Sequence, residues 1–513
     1  MKLEDHPAYP HLFPYQREGA EWLATKTHAL LADEMGLGKS VQAIVAADLV
    51  GAESICVLCP AVARANWRRE FEKWSTISRP DLHVYSYDYV SRNHKALKNS
   101  RFDLLLNDES HYLKNRQAKR TKMVLGKEGL IHRAERTWFL TGTPMPNNIA
   151  DLWPMLFCLK ATNLSYQQFV ERYATGYDSG FGFTITGINQ KTVGEIHKHL
   201  EKMMRRRLKA KVLRELPAVH STVTAVEESP IELDISYDLK DYVVTKNVNV
   251  LHEQYEKQST LMRTAYEVVE ASRMAELLQT VATSLPTLRR INGMKKVPAV
   301  AELISDELAS GAYEKVVIFA YHKDVILGLA RRLKEFGAVV VDGSVNDKAR
   351  NAYIDSFQKD PTCRVFIGQI IACGTAITLH AANHIVFAEC DWVAANNAQA
   401  IGRCHRIGQK KTVFVRYAAI EGSVDTKIME TLERKTRDAF AVLRDTREPD
   451  ERKTPVLKLD SHAFREIEKL NKIAAEARAL RSPKELADEE LYGERFDEPG
   501  AVRTSACDPD IPG

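Results

Sequence analysis

Short apolar runs alternate with polar stretches of helical character along the first part of the chain. The runs lie at residues 29–32, 55–59, 102–106 and 138–141. Each run is short and is bounded by turn or polar residues, which is typical of buried parallel strands. This alternation predicts a doubly wound, parallel-sheet α/β domain over residues 1–155.

The same alternation returns over residues 296–445 and predicts a second parallel-sheet α/β domain. Its apolar runs lie at residues 316–319, 339–341, 365–367, 384–387 and 413–416. Residues 156–295, between the two domains, are mostly helical in pattern with few strand-like runs, and residues 237–284 favour long helices in an antiparallel hairpin. Residues 446–513 predict a helical tail that ends in a disordered segment.

Composition narrows the class of protein without deciding its function. The chain has 513 residues, of which 44% are hydrophobic and 27% charged, as is usual for a water-soluble protein. No apolar run approaches the roughly 18 residues that a membrane span requires, and residues 1–10 lack the apolar core of a signal peptide. We therefore expect the protein to lie inside a cell. Its net charge of +4 is small, so any nucleic-acid contact has to come from local basic patches.

The cysteines give little support to a metal site. Cys56 and Cys59 form a C-x-x-C pair in an apolar run, but no second pair of ligands follows at zinc-site spacing. We interpret them as buried thiols on a strand in a reducing compartment.

A glycine-rich loop follows the first apolar run and precedes a helical stretch. Its residues are Asp33, Glu34, Met35, Gly36, Leu37, Gly38, Lys39 and Ser40. A strand, such a loop and a helix form a phosphate cradle, because backbone N–H groups and the positive helix end face the anion. Lys39 is expected to reach the β- and γ-phosphates of ATP, and the Ser40 hydroxyl to bind Mg²⁺. A chance Gly-Lys-Ser turn is the alternative, since Asp33 stands where the usual loop has glycine.

An acidic pair, Asp108 and Glu109, follows the apolar run at residues 102–106. A carboxylate at the end of a buried strand can hold Mg²⁺, so we assign this role to Asp108. Glu109 can orient the attacking water or accept its proton. A solvated acidic dipeptide is the alternative, which the buried strand disfavours. The preceding polar residue, Asn107, is unusual in the last position of such a strand.

A basic element lies far along the chain, at residues 399–409. If residues 399–407 are helical, Gln399, Arg403 and Arg406 fall on one face at positions i, i+4 and i+7. Two guanidinium groups on a second domain can reach the γ-phosphate of a bound nucleotide. Such arginine fingers accelerate phosphoryl transfer by roughly 10³–10⁵. The alternative is a solvated basic helix.

In this order and spacing, the three elements resemble the Swi/Snf branch of superfamily-two helicases, which implies two RecA-like domains with a mainly helical insertion. Further segments agree with the resemblance. Residues 12–19, with Gln16, are similar to the adenine-reading element, and residues 59–74, with Asn66 and Trp67, to motif Ia. Residues 140–147, with Thr143, are similar to motif III, which couples the ATP site to the DNA track, and residues 204–209 to a basic stretch of the insertion. Gly374 and Thr375 are similar to motif V, and residues 405–409 to an element that is specific to this branch.

The resemblance implies that duplex DNA binds across both domains, opposite the nucleotide, through contacts with backbone phosphates. The candidate DNA-contacting residues are Arg64, Asn66, Thr143, Arg205, Arg206, Arg207, Gly374 and Thr375. For Arg205 to Arg207, an ordinary solvated helix face is the alternative.

The sequence Asp-Glu-Ser-His at residues 108–111 and the segment 386–389 before Trp392 are similar to the annealing-helicase, fork-remodelling subgroup. The compact chain is more typical of bacterial or phage genomes, which implies a cytoplasmic, nucleoid-associated protein; a eukaryotic one would be nuclear. The resemblance implies an ATP-dependent translocase on double-stranded DNA that remodels or reanneals branched DNA, or displaces bound protein. The alternatives are the motor subunit of a restriction or anti-phage system, an RNA-dependent helicase, and a non-motor ATP-dependent DNA clamp.

Overall fold

The computed structural model describes residues 1–77, 81–93, 97, 100–178, 183–213, 215–229, 271–373, 377–421 and 423–443. Contacts within the chain divide it into two units. The first comprises Met1–Tyr177, Ile185–Tyr255 and Leu285–Leu459, and the second Asp178–Thr184, Glu256–Ser284 and Asp460–Gly513. In the second unit the described residues are 178, 183–184 and 271–284, the last with helical backbone.

The first unit contains two parallel sheets. The strands that precede the connection between the sheets are β1 (His28–Leu31), β2 (Ile55–Cys59), β3 (Leu82–Ser86), β4 (Phe102–Asp108), β5 (Ala134–Leu140), β6 (Ala174–Asp178), β7 (Phe183–Ile188) and β8 (Met204–Arg205). The first sheet is six-stranded, in the order β3-β2-β4-β5-β1-β8, and β6 and β7 form a two-stranded sheet of their own. In the register of the first sheet, Leu140 lies beside both Leu31 and Asp108. The segments that follow β1, β4 and β5 therefore meet at one edge.

Helices cover both faces of this sheet. They are α1 (Pro14–Ala24), α2 (Lys39–Leu49), α3 (Arg64–Trp74), α4 (Tyr87–Asn93), α5 (Lys119–Leu125), α6 (Trp153–Cys158), α7 (Tyr166–Tyr173) and α8 (Val193–Met203). Leu105 of β4 belongs to the apolar cluster on one face and Leu106 to the cluster on the other. Because both faces are covered, the central strands have to be apolar throughout, which explains the continuous runs in the sequence.

The second sheet is also six-stranded and parallel. Its strands are β9 (Val219–Ala225), β10 (Val316–Ala320), β11 (Val339–Val341), β12 (Val365–Gln369), β13 (His384–Phe387) and β14 (Val413–Ala419). They stand in the order β11-β12-β10-β13-β14-β9. The remaining α-helices are α9 (Lys209–Val212), α10 (Ala271–Ala309), α11 (Lys323–Arg332), α12 (Asp347–Lys359), α13 (Ile370–Cys373), α14 (Ala394–Cys404) and α15 (Val424–Leu443).

Short 3-10 helices complete the described secondary structure. They are Leu3–Asp5, Tyr9–His11, Ala61–Ala63, Ser110–Leu113, Leu130–Arg133, Ile149–Leu152 and Lys334–Phe336. Within the described ranges, no helix combines the length and the apolarity that a membrane span requires.

Two parts of the chain join the sheets. The connecting segment, of which residues 206–213 and 215–218 are described, leaves β8 at the edge of the first sheet and enters β9 at the edge of the second. Helix α15 packs Met429 and Leu432 into the core of the second sheet and Val442 and Leu443 into the core of the first. The connecting segment therefore links the edges of the two sheets, and α15 links their apolar cores.

The predicted fold class of two parallel-sheet α/β domains is confirmed. Residues 156–295 also contain short strands that the hydropathy pattern does not mark: β6 to β9 lie there, and two of them complete the sheets. Edge strands such as β8 and β9 pair on one side only and keep polar residues, so hydropathy does not reveal them. Residues 237–270 of the predicted helical hairpin and residues 446–513 of the predicted tail lie outside the described residues. Residues 271–284 of the hairpin are described and have helical backbone, as the first part of α10.

A buried ion pair fixes α10 and α15 to the second sheet. Lys296 Nζ lies 2.9 Å from Asp425 Oδ2, and the side chains are only 1% and 8% exposed. The same ammonium donates to the Ala418 carbonyl of β14 at 3.0 Å. Removing one partner of such a pair leaves a buried charge without compensation.

We predict that Asp425→Ala lowers the free energy of unfolding by about 3–5 kcal/mol, because the Lys296 ammonium then stays buried without its carboxylate. Lys411→Ala is the matched control, since Lys411 pairs with Glu314 at the surface, where the side chains are 63% and 83% exposed. The control is expected to cost about 1 kcal/mol or less. Urea denaturation of both variants measures the difference, and equal costs would contradict the importance of the buried pair.

Candidate functional site

The glycine-rich loop occupies the carboxyl end of β1 and leads into α2. Gly36 and Gly38 have φ angles of +85° and +71°, in the left-handed region that favours glycine. A Cβ atom on Gly38 would come within 2.4 Å of Gln16 Nε2, so a larger residue would displace the Gln16 side chain. The loop opens onto the N-terminus of α2, where backbone N–H groups without helical partners can bind an anion. The geometry therefore suits a phosphate chain.

Lys39 and Gln16 border this loop from opposite sides. Lys39 Nζ donates to the Asp33 carbonyl at 2.9 Å. Burial lowers the pKa of Lys39, while the charges of Glu109, Asp33 and Asp108 raise it. Gln16 accepts a hydrogen bond from Phe13 N and donates to the Leu37 carbonyl, so it links the start of α1 to the loop.

Asp108 is held at the end of β4 by three donors. Trp67 Nε1 donates to its Oδ2 at 2.7 Å, and Glu109 N donates to its Oδ1 at 3.0 Å. The Tyr87 hydroxyl donates to the Asp108 carbonyl oxygen at 2.7 Å. Burial and the neighbouring Glu109 raise the pKa of Asp108, against the effects of Trp67 and Lys39. A positive ligand beside this carboxylate would favour its ionised form.

Glu109 adopts a left-handed backbone conformation with φ +47°, which is uncommon outside glycine and costs energy. Its Oε2 lies 3.3 Å from His111 Nδ1. Burial acts to raise the pKa of Glu109, but the hydrogen bond and charge of His111, with Lys39 and Arg403, lower it overall. At neutral pH Glu109 is therefore an anion that can accept hydrogen bonds.

His111 connects this acidic pair to the segment after β5. Its Nδ1 also lies 3.0 Å from Thr141 Oγ1 and 3.4 Å from Thr143 Oγ1. Gly142, between the two threonines, packs so closely that an added Cβ atom would lie 2.6 Å from Met35 Cγ. Thr143, a predicted DNA contact, thus lies beside the acidic pair.

The second sheet contributes one wall of a cleft next to Glu109. A cavity of about 190 Å³ is lined on the side of the first sheet by Glu109, His111, Tyr112, Lys114, Arg120 and Pro146, and on the side of the second by Ile370, Ile371, Val393, Asn396 and Gln399. Gln399 is buried on α14, one turn before Arg403. Burial and the charge of Arg406 lower the pKa of Arg403 to about 10, while Glu109 raises it. The charge of Glu109 therefore acts on Arg403 across the boundary between the two sheets.

Arg406 departs from the predicted helix. Helix α14 ends at Cys404, and the chain turns through Gly408, whose φ is +102°. Arg406 Nη1 donates to the Ile377 carbonyl at 3.0 Å and to Thr378 Oγ1 at 2.7 Å. The expectation that residues 399–407 form one helix was therefore wrong at its end, because the glycine turn interrupts the helical face after Arg403.

The basic stretch also lies elsewhere than expected. Because β8 pairs with β1, the residues after it pass the phosphate loop. Arg206 Nη1 donates to the Ala32 carbonyl at 2.7 Å and to the Gly142 carbonyl at 3.0 Å. Arg207 forms an ion pair with Asp33, with 2.6 Å between Nη2 and Oδ2. Because Arg205 lies in β8 and residues 206–208 are not helical, the alternative of a solvated helix face was wrong. Arg206 and Arg207 instead lie beside the phosphate loop, and Arg205 pairs with Glu18 at the surface.

The other predicted DNA contacts are less enclosed. Arg64 is exposed and Asn66 half-buried on the first turn of α3. Gly374 and Thr375 lie outside the described residues. Trp67, Tyr87 and His111 were not singled out as site residues from the sequence, because their roles depend on contacts between distant segments. The apolar run that contains Cys56 and Cys59 is strand β2, with both thiols buried.

The donor set fits Mg²⁺ bound together with a nucleotide. In the described part of the chain, no cluster of three or more His, Cys, Asp or Glu side chains could hold a metal by itself. Mg²⁺ in nucleotide sites is bound through one or two protein oxygens together with substrate phosphates. The half-buried Asp108 carboxylate and the Ser40 hydroxyl at the start of α2 supply oxygens of this kind.

Comparisons with known proteins agree with this geometry. The SNF2-related domain matches residues 15–86 and 77–277, and the helicase conserved C-terminal domain matches residues 295–408. The chain is 30% identical to the DNA annealing helicase and endonuclease ZRANB3 of Bos taurus over 468 residues, which are 85% of this chain and 41% of that protein.

It is also 29% identical over 450 residues to the SWI/SNF-related matrix-associated actin-dependent regulator of chromatin subfamily A-like protein 1 homolog of Caenorhabditis elegans. That match covers 83% of this chain and 61% of the relative, so the chain spans about half the length of these two relatives. A solved structure, the Sulfolobus solfataricus SWI2/SNF2 ATPase core in complex with dsDNA, has a TM-score of 0.37 and 22% identity over 88% of this chain and 97% of that one. From the two domain matches, the chain belongs to the SNF2 family of helicase-like ATPases.

Proposed function

We propose that this chain is an ATP-driven motor that translocates on double-stranded DNA. In this proposal it remodels or reanneals branched DNA, or displaces bound protein. The observation that carries the proposal is the cleft in which Glu109 of the first sheet faces Gln399 of the second, with Lys39 and Arg403 close enough for their charges to act on Glu109. A site divided between two domains changes when nucleotide binds or leaves, which is what a stepping motor requires.

Each side chain has a distinct task in this proposal. Lys39 binds the β- and γ-phosphates, and the N-terminus of α2 adds backbone donors. Ser40 and Asp108 hold Mg²⁺, which neutralises phosphate charge when it is bound. Glu109 stays ionised because its pKa is lowered, so its carboxylate can accept a hydrogen bond from the attacking water and orient it. Arg403, with Arg406 after a rearrangement of its turn, neutralises charge that develops on the transferred phosphoryl group.

The DNA track is proposed to include the exposed face of α3. Arg64, Arg68 and Arg69 are exposed there, and Asn66 lies on the same helix. Guanidinium groups on a surface helix attract backbone phosphates without reading bases, which suits a motor that moves over any sequence. The name of the Bos taurus relative, an annealing helicase, supports branched DNA as a substrate.

Helix α3 also reaches the ATP site through Trp67. This residue is 1% exposed, on the side of α3 turned toward the sheet, and its indole N–H donates to Asp108. A shift of α3 on DNA would therefore act directly on a proposed Mg²⁺ ligand. One hydrogen bond separates the proposed DNA-facing helix from the nucleotide site.

We predict that Trp67→Phe reduces the DNA-stimulated ATPase rate about 10-fold or more, since a hydrogen bond to a charged group contributes about 1.5–3 kcal/mol. The concentration of Mg²⁺ needed for tight binding of a fluorescent ADP analogue should rise as well. Trp74→Phe is the matched control, because Trp74 Nε1 donates to Glu70 on the same helix, away from Asp108. If both variants behave alike, Trp67 only fills the core.

For the function itself, we predict that duplex and forked DNA stimulate ATP hydrolysis well above RNA. Affinity for DNA should fall with salt, with a log–log slope of about −0.9 per phosphate neutralised. Translocation should displace the third strand of a triplex without releasing a long annealed strand. Steady-state ATPase and triplex-displacement assays measure these results.

Lys39→Ala serves as the control in the same assays. Lys39 is the one basic residue in the loop sequence at residues 33–40, so the variant should bind DNA but neither hydrolyse ATP nor displace the triplex strand. Stimulation by RNA alone would instead support an RNA helicase. ATP-dependent DNA binding with no triplex displacement by the unaltered chain would support a clamp.

A further inference from the structure

The connecting segment carries a lysine into the interior of the molecule. Lys209, at the start of α9, is only 4% exposed, although lysine is rarely buried without a partner. Its position follows from the pairing of β8 with β1, which brings the connecting segment past the phosphate loop. The placement of this charge therefore needs an explanation.

Lys209 contacts both halves of the nucleotide site. Its backbone N–H donates to Glu34 Oε2 at 2.8 Å, at the start of the phosphate loop. Its ammonium donates to the His405 carbonyl at 2.7 Å, in the turn between Arg403 and Arg406. A Cβ atom on Gly36 would lie 3.6 Å from Lys209 Nζ, and one on Gly402 would lie 3.9 Å away. The ammonium thus lies between the loop and the end of the arginine-bearing helix.

A second contact fastens the connecting segment to the same turn. His405 Nε2 lies 2.8 Å from the Pro217 carbonyl. On the side of the first sheet, Arg206 of this segment donates to the Ala32 and Gly142 carbonyls beside the loop. The connecting segment is consequently bonded at several points to both halves of the site, and Lys209 itself bonds to both.

The charges around Lys209 favour a bound anion. Burial lowers the pKa of Lys209 to about 8; Glu34 raises it, whereas Arg403, Lys39 and Arg406 lower it. Several cations that share a space with little water repel one another strongly. The negative charge of a triphosphate would relieve this repulsion. An ammonium has three donors, and the bond to His405 uses one of them.

We propose that Lys209 is a positioning residue that holds the turn bearing Arg403 and Arg406 against the phosphate loop, so that the two halves of the site close around bound triphosphate. This inference rests on the proposed ATPase function and adds to it a third basic element, contributed by the connecting segment. In the alternative, Lys209 only stabilises the fold.

The test compares Lys209→Met, which keeps the aliphatic stem and removes the charge, with Lys209→Arg. Lys211→Met is the matched control, because Lys211 is exposed on the same short helix. Closure is measured by energy transfer between two dyes, with a non-hydrolysable ATP analogue and duplex DNA present. One dye is attached at Glu128, in the α/β domain of the first sheet, and the other at Lys359, in the domain of the second; both positions are exposed. Hydrolysis at saturating ATP and binding of the analogue are measured in parallel.

We expect Lys209→Met to bind the analogue within a few-fold of the unaltered chain, while the closed-to-open ratio and kcat each fall about 10-fold or more. Lys209→Arg should restore most of both, and Lys211→Met should match the unaltered chain. The melting temperature identifies any variant that fails to fold, in which case Lys209→Gln and Lys209→Arg decide the comparison.

The inference is overturned if Lys209→Met and Lys211→Met show the same closure and the same kcat. It is also overturned if Lys209→Met and Lys209→Arg lose closure and kcat equally and both have lower melting temperatures. The closure readout does not depend on hydrolysis. A chain that closes on the analogue through Lys209 but hydrolyses no ATP would therefore contradict the proposed motor and not this inference.

Discussion

Charge withdrawn from water has to be compensated, and the region between the two sheets is organised by this constraint. Basic and acidic side chains converge there, namely Lys39, Arg206, Arg207, Lys209, Arg403 and Arg406 with Asp33, Glu34, Asp108 and Glu109. Some of these charges pair directly, as Arg207 does with Asp33. Others, such as Lys209 and Arg403, bear pKa values lowered by burial and by neighbouring cations. A site of this composition favours a multivalent anion with its metal ion.

The parallel sheets account for how these charges are brought together. Carboxyl ends of parallel strands share one edge, so the loops after β1, β4 and β5 meet although they are far apart in sequence. The second sheet supplies α14 in the same way. The connecting segment and α15 then bind both sheets, which limits how the two halves of the site can move relative to each other.

Much of this arrangement could be predicted from the sequence. The runs at 55–59, 339–341 and 384–387 match β2, β11 and β13 residue for residue. For β2 the reason is clear, since this strand is buried along its whole length and a strand covered on both faces has to be apolar. The phosphate loop could be located for a related reason, since a glycine-rich turn between a strand and a helix has few other uses.

The remainder depends on contacts between distant segments that no local pattern encodes. The basic stretch was visible at residues 205–207, but its partners were not, because strand β8 is two residues long and pairs at an edge. The sequence predicts that α14 continues to residue 407, but the helix ends at Cys404 and a turn through Gly408, with its positive φ, follows. Asn107 is fully buried, and neither polar atom of its side chain has a partner among the described residues. We have no physical account of it.

The central claim is that the second sheet completes an ATPase site on the first, and Arg403 is the residue on which this depends most. Single-turnover hydrolysis by Arg403→Ala, at saturating ATP and duplex DNA, tests the claim directly. The account predicts a rate lower by about 10³ or more with ATP and DNA affinities nearly unchanged, because the arginine acts on charge that develops in the transition state. A rate close to that of the unaltered chain, with weakened DNA binding, would contradict it and assign Arg403 to the DNA track.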